Sequence, residues 1–120
     1  MQQGEHLYVI SVGDPTDLQV GGGSLYYILD DSGEKGLPVF SDLRHAERYV
    51  EANVLDPDAH LAYRMGGAAP DHVRALAEGR FALKRLEAEQ VPQAVASVGA
   101  DYLIRDARPG QQQEEIVRLD

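Results

Sequence analysis

The sequence predicts an α+β domain: a single layer of mainly antiparallel sheet, roughly five to six strands, with two to three helices packed on one face. Three observations lead there. Short apolar runs rich in β-formers end in Gly, Pro, Asp or Ser turn chemistry. A well-patterned amphipathic stretch begins just after the third of these runs. The length of 120 residues with 43% apolar content suits one ordinary core, and one domain over 1–120 is expected, with 1–5 and 111–120 as frayed ends.

Leu7-Tyr8-Val9-Ile10-Ser11-Val12 is the first strand, closed by Gly13-Asp14-Pro15. Ser24 to Asp31 gives a second, again near-continuously apolar, and Ser32-Gly33-Glu34-Lys35-Gly36 reads as a turn. Leu37-Pro38-Val39-Phe40 is a short third strand, which Pro38 assigns to a sheet edge or a strand start. The three pieces form a meander. Ser41 is the predicted cap of a helix, with Asp42 at the positive end of its dipole. Leu43, Ala46, Val50 and Val54 form its apolar stripe with Tyr49 beside them, and the helix stops near Asp56-Pro57.

Leu61 to Met65 reads as a fourth strand ended by Gly66-Gly67. Pro70 opens a second helix in which Val73, Leu76 and Ala77 face inward, and Gly79 interrupts it. The Ala, Leu, Lys, Arg and Glu content of 81–86 favours helix, either as a bent continuation or as a separate element. Pro92 opens a last helix carrying Val91, Val95 and Val98 and ended by Gly99. Asp101 to Asp106 is a strand, Arg108-Pro109-Gly110 a turn, and Glu115 to Leu119 a returning hairpin strand or a tail. No internal repeat or linker divides the chain.

The formal charge of −9 argues against nucleic acid and anionic membrane, which bind clustered Lys and Arg. The only lysines are Lys35 and Lys84, and the arginines lie among carboxylates. The absence of Cys removes disulfides, thiolate metal sites and cysteine nucleophiles, and fits a reducing compartment. No apolar run reaches the ~20 residues of a membrane span. Met1 to His6 lacks the pattern of a signal peptide, so cytoplasmic residence is the expectation.

No motif commits the chain to a chemistry. Gly21-Gly22-Gly23 precedes a strand rather than a helix N-terminus, so it is a connector and not a phosphate cradle. Asp30-Asp31-Ser32-Gly33-Glu34 resembles a calcium loop in composition, but Ser41 stands where the bidentate Glu belongs. His6, His45, His60 and His72 show no metal-ligand spacing; His6, His45 and His60 are nonetheless the candidates for a polar site if they converge in space. None of Ser11, Ser24, Ser32, Ser41 and Ser97 lies in a nucleophile elbow. No catalytic residue, cofactor or metal is assigned. Tyr26 and Tyr27 are adjacent on one strand and point to opposite faces, which makes them the candidate interface residues.

Leu37 to Asp42 followed by Ala46-Glu47-Arg48-Tyr49, together with Val98 to Ile104 and Arg108-Pro109-Gly110, resembles the N-terminal domains of SseB-like proteins. The segment is also similar to that of small uncharacterised α/β domains with the same strand–cap–helix order. The likeness touches about half the chain and its matching features are structural: a cap, a core aromatic and a turn. It implies an α/β domain used for interaction or regulation, and it carries over no catalytic residue. The Val20 to Gly23 loop and Gln111 to Gln113 depart from the pattern.

The functional expectation is a non-enzymatic interaction or regulatory module that self-associates or binds a protein through a sheet face or edge. The alternative is a small-molecule or metal-binding domain with a histidine–carboxylate site between the first and fourth strands, with hydrolysis as its chemistry.

Overall fold

The three most apolar runs of the chain are strands buried on both sides, and this decides the architecture. In a computed structural model, which describes residues 6–14, 16, 24–29, 32–55, 67–68, 70–106 and 116–118, the elements run β1 (His6–Val12), β2 (Ser24–Leu25), β3 (Ile28–Leu29), β4 (Lys35–Val39), α1 (Leu43–Leu55), β5 (Gly67–Ala68), α2 (Pro70–Ala77), β6 (Phe81–Glu87), α3 (Val91–Val98), β7 (Tyr102–Arg105) and β8 (Ile116–Arg118). A 3-10 turn, Ala88–Gln90, leads into α3. The class is α+β, as predicted.

The single layer with helices on one face needs correction on both counts. Two hydrogen-bonded sheets form, one of order β2-β1-β6 and one of order β5-β3-β4-β7-β8. They meet at an antiparallel bridge between Tyr8 and Phe40, whose backbone bonds are 2.9 and 3.0 Å. Helices cover both faces. Ile10, Val12, Phe40, Tyr102 and Ile104 pack with Ala46, Tyr49 and Val50 of α1 and with Ala75 and Leu76 of α2. Val9, Leu37, Val39 and Leu103 pack instead against Val91, Val95 and Val98 of α3. Alternating residues of one strand thus feed two cores, which is why these runs read as continuous rather than alternating.

The connectivity requires this arrangement. β6 is antiparallel to β1, β1 is antiparallel to β4 at the bridge, and β7 is parallel to β4. The chain therefore crosses from β4 to the parallel β6 through α1 and α2, then back across the sheet from β6 to β7 through α3. Two crossovers of one handedness that run in opposite directions must lie on opposite faces.

The predicted second strand divides. Ser24 and Leu25 pair with Val12 and Ser11, whereas Ile28 and Leu29 pair with Gly36 and Lys35. Tyr26 sits between, sending its N–H to the Ile10 carbonyl at 2.8 Å. This also explains Pro38, which lies inside the five-stranded sheet rather than at its edge, opposite Ile104. Backbone groups of Lys35 and Val39 face β7, and those of Phe40 face β1. By alternation the Pro38 nitrogen points to the notch between β3 and the Tyr8 bridge, where no ladder needs a donor.

Residues 81–86 form a strand and not the predicted helix: β6 pairs with all of β1, from His6 with Glu87 to Val12 with Phe81. Long-range pairing overrides the weak helical propensity of the segment. Gly79 takes φ +77 and ends α2; the bonds from Gly79 to the Leu76 carbonyl and from Arg80 to the Ala75 carbonyl close the turn into β6. Leu43 and Ala77, both read as inward-facing, are exposed. The last helix matches the reading, with Pro92 in its first turn and Gly99 at its end. Ile116–Arg118 returns as a strand on β7, secured by a two-pronged bond from Arg118 to Glu34 at 2.9 and 2.6 Å. The predicted fourth strand, 61–65, lies outside the described residues.

Candidate functional site

Among the described residues, three places hold polar groups against a built framework: a corner at the start of α1, a cleft beside Lys35 and the outer edge of β6.

The corner forms where the parallel strands β4 and β7 both end, a position favoured for sites in sheets with parallel strands. Asp106 follows β7 with φ +51, a left-handed conformation that Asp tolerates better than most residues. Its N–H bonds the Val39 carbonyl at 2.8 Å, and its carboxylate turns back onto the start of α1. There it accepts the Ser41 amide at 2.8 Å, the Ser41 hydroxyl at 3.0 Å and His45 Nδ1 at 3.2 Å. Burial pushes the Asp106 carboxyl up, but the Ser41 bonds and the neighbouring His45 outweigh it and hold the group below its ordinary value.

Ser41 is therefore not the helix cap. Asp42 is: its Oδ1 accepts the His45 amide at 2.9 Å, the bond that a residue just before the first turn makes. His45 Nδ1 also lies 3.6 Å from Asp42 Oδ2. Nδ1–H is given to a carboxylate, and the ring is partly exposed. The order of contacts is wrong for acyl transfer, however. The serine hydroxyl donates to the carboxylate and not to the imidazole, so serine and histidine converge on Asp106 instead of forming a relay.

The cleft, about 270 Å³, is lined by Ser24, Leu25, Tyr27, Lys35, Ser97 and Val98. Lys35 Nζ donates to the Val98 carbonyl at the end of α3, at 3.2 Å, and lies 4.9 Å from the Tyr27 ring centre. The ammonium thus complements the negative end of the helix and the face of an aromatic ring.

At the β6 edge, backbone direction can be assigned residue by residue. Gly13 donates to Arg80, while Tyr8 and Ile10 face away from β6 toward Phe40 and Tyr26. Alternation along the seven-residue pairing then points Ala82, Lys84 and Leu86 at β1. Phe81, Leu83, Arg85 and Glu87 direct their N–H and C=O groups outward. The Glu87 amide is taken by Gln90 Oε1 at 2.8 Å, within a reciprocal capping pair.

The structure disperses the candidate residues read from the sequence. Tyr26 is buried in the core, its hydroxyl 3.0 Å from that of Tyr49, which removes it from any surface for a partner. Tyr27 is half-buried, with its ring edge-on to His72 at 5.1 Å. His6 opens β1 at the end of the sheet where the corner lies, but its ring packs edge-on against Tyr8 at 5.4 Å. No contact joins it to His45 among the described residues. His60 lies outside them. Among the described residues no group of three His, Cys, Asp or Glu is placed to hold a metal ion, and no helix is long and apolar enough to cross a membrane.

Sequence reasoning passed over Asp106 and the β6 edge. Nothing local marks Asp106, whose partners lie 61 and 65 positions away. β6 was hidden by its helix-forming composition. No protein-family model, curated protein or solved structure matches this chain.

Proposed function

We propose that the chain is a non-enzymatic, cytoplasmic interaction module that binds protein by adding a partner's strand to the outer edge of β6. The observation that carries this reading is the outward direction of the Phe81, Leu83 and Arg85 backbone groups on a seven-residue strand paired with β1 along its other side. Strand addition draws its affinity from such main-chain groups and its selectivity from alternate side chains. The corner supports a non-catalytic role, because the Ser41 proton goes to the carboxylate that also holds His45. The resemblance of the strand–cap–helix segment to SseB-like domains points the same way.

The test compares two baits. Arg85→Pro removes an outward N–H and leaves the ladder to β1 intact. The native chain should retain a stoichiometric protein partner, either another protein or an untagged copy of itself, and the variant should lose it. Equal retention by both baits, or none by either, refutes strand addition at β6.

A second reading places a small-molecule site at the corner, favoured by the imidazole that Asp106 orients. Its metal-dependent form requires divalent cations to raise the melting temperature and a chelator to lower it. An unchanged melting temperature excludes that form.

A further inference from the structure

We infer that the strand which pairs with β6 is β6 of a second copy, antiparallel, with the two-fold axis at Leu83; this rests on the strand-addition reading above. The side chains of β6 select that register. Centred on Leu83, the outward-facing residues meet only one another: Leu83 faces its own copy, and Phe81 faces the second copy's Arg85 on each side. Each of these pairs exchanges its N–H and C=O groups, as hydrogen-bonded antiparallel pairs do. The side chains also match. Phe81, Leu83 and Arg85 share one face of the strand, so the pairing sets a leucine contact between two Arg–Phe pairs of the cation–π type. Arg85 is half exposed and, among the described residues, forms an ion pair along its own strand with Glu87 at 2.9 Å, which leaves its stem able to cover a ring. On the other face Lys84 meets the second copy's Ala82.

Neighbouring registers are penalised. A shift that centres Lys84 puts two ammonium groups directly opposite each other. One that centres Arg85 does the same with two guanidinium groups and leaves Phe81 beyond the paired segment. A shift toward Ala82 leaves the Arg85 backbone opposite Gly79, at the turn that precedes the strand. The charges that commonly protect an edge strand from pairing here penalise two of these registers, and the turn at Gly79 penalises the third. Glu87 ends the pairing, because Gln90 already accepts its amide hydrogen.

The experiment uses the purified full chain. Light scattering over a dilution series should show the mass of two chains at high concentration and of one chain at low concentration. Hydrogen exchange of the Leu83 and Arg85 amides should slow as concentration rises, while those of Ala82, Lys84 and Leu86 stay slow throughout. Arg85→Pro should be monomeric. Arg85→Glu, which keeps the strand and its donors, should weaken association about tenfold by removing both Arg–Phe pairs. A single-chain mass at every concentration, with capture of another protein still dependent on Arg85, overturns the second copy and leaves strand addition standing. A dimer unaffected by either Arg85 variant, with Leu83 and Arg85 amides exchanging at the same rate at all concentrations, overturns both.

Discussion

Ser41 donates its backbone amide and its hydroxyl to Asp106, at 2.8 and 3.0 Å, across 65 positions of sequence. The bonds, with the contact of His45 Nδ1 to the same carboxylate at 3.2 Å, fasten the start of α1 to the end of β7. Asp106 reaches this position because its backbone turns left-handed immediately after the strand. A single carboxylate thereby decides how the helix enters the fold.

Replacing Asp106 should expose the two parts of this arrangement. Asp106→Ala loses charge-assisted bonds worth about 1.5–3 kcal/mol and places Ala in a left-handed conformation costing ~1 kcal/mol more. A total near 3 kcal/mol is expected in urea unfolding. Asp106→Asn keeps an acceptor and a side chain that tolerates the conformation, so its cost should be about half. Equal losses for the two variants would assign the whole effect to the charge that both remove and none to the retained acceptor or the backbone geometry.

Acid should erase the difference between native chain and Asp106→Asn. The folded-state pKa of Asp106 lies below its ordinary value, so the carboxylate stabilises the fold fully above about pH 4, where the unfolded group is also ionised. That stability is lost as pH falls through the depressed folded value. Urea midpoints of the two proteins should differ at neutral pH and converge once the pH has fallen below the depressed folded value. A gap that persists in acid would assign the loss to shape rather than charge.

The helix cap gives a test with a local readout. Asp42→Ala removes the acceptor of the His45 amide and should cost about 1 kcal/mol, with faster hydrogen exchange at His45. Ser41→Ala should leave that amide slow, because its hydroxyl serves Asp106. Faster exchange at His45 in the serine variant alone would restore Ser41 as the cap.

The legible parts of the fold were those written in local chemistry. Val91, Val95 and Val98 repeat at helical spacing between Pro92 and Gly99, and the helix forms there. Pro70 starts α2 for the same reason. What stayed hidden depends on partners distant in sequence. The unbroken apolar runs of β1, β4 and β7 carried the sign of two buried faces, yet which helix covers which face follows from crossovers that no short window contains. β6 has helix-forming residues and becomes a strand because seven residues of β1 lie beside it. At the corner, Asp42 and Ser41 were both visible as polar residues before a helix. Only the position of Asp106 divides their roles.

Tyr26 and Tyr49 share a buried hydroxyl contact at 3.0 Å, and burial, followed by the neighbouring Tyr49, raises the Tyr26 phenol well above its usual range. Either single change to Phe should cost about 1–2 kcal/mol, since it removes this buried hydrogen bond. The double variant should cost less than the sum, with a coupling of about 1 kcal/mol in a double-mutant cycle. Strict additivity would mean that the two hydroxyls do not stabilise each other.

Gly36 is needed for space rather than for a turn. The sequence places it in turn chemistry after Gly33, but it lies within β4, opposite Ile28 on one side and Tyr102 on the other. A Cβ there would stand 2.5 Å from Tyr102 Cε1 and 2.8 Å from Ile104 Cδ1. Both neighbours are almost fully buried, so neither ring nor methyl can withdraw without disturbing the core shared with α1. Gly36→Ala should cost about 3 kcal/mol and lower the melting temperature by roughly 10 °C. Gly33→Ala meets no atom within 4 Å and carries only the strain of φ +89, so about 1 kcal/mol is expected. If the two substitutions prove equally costly, the tight contact with Tyr102 relaxes freely and the glycine in β4 is not required by packing.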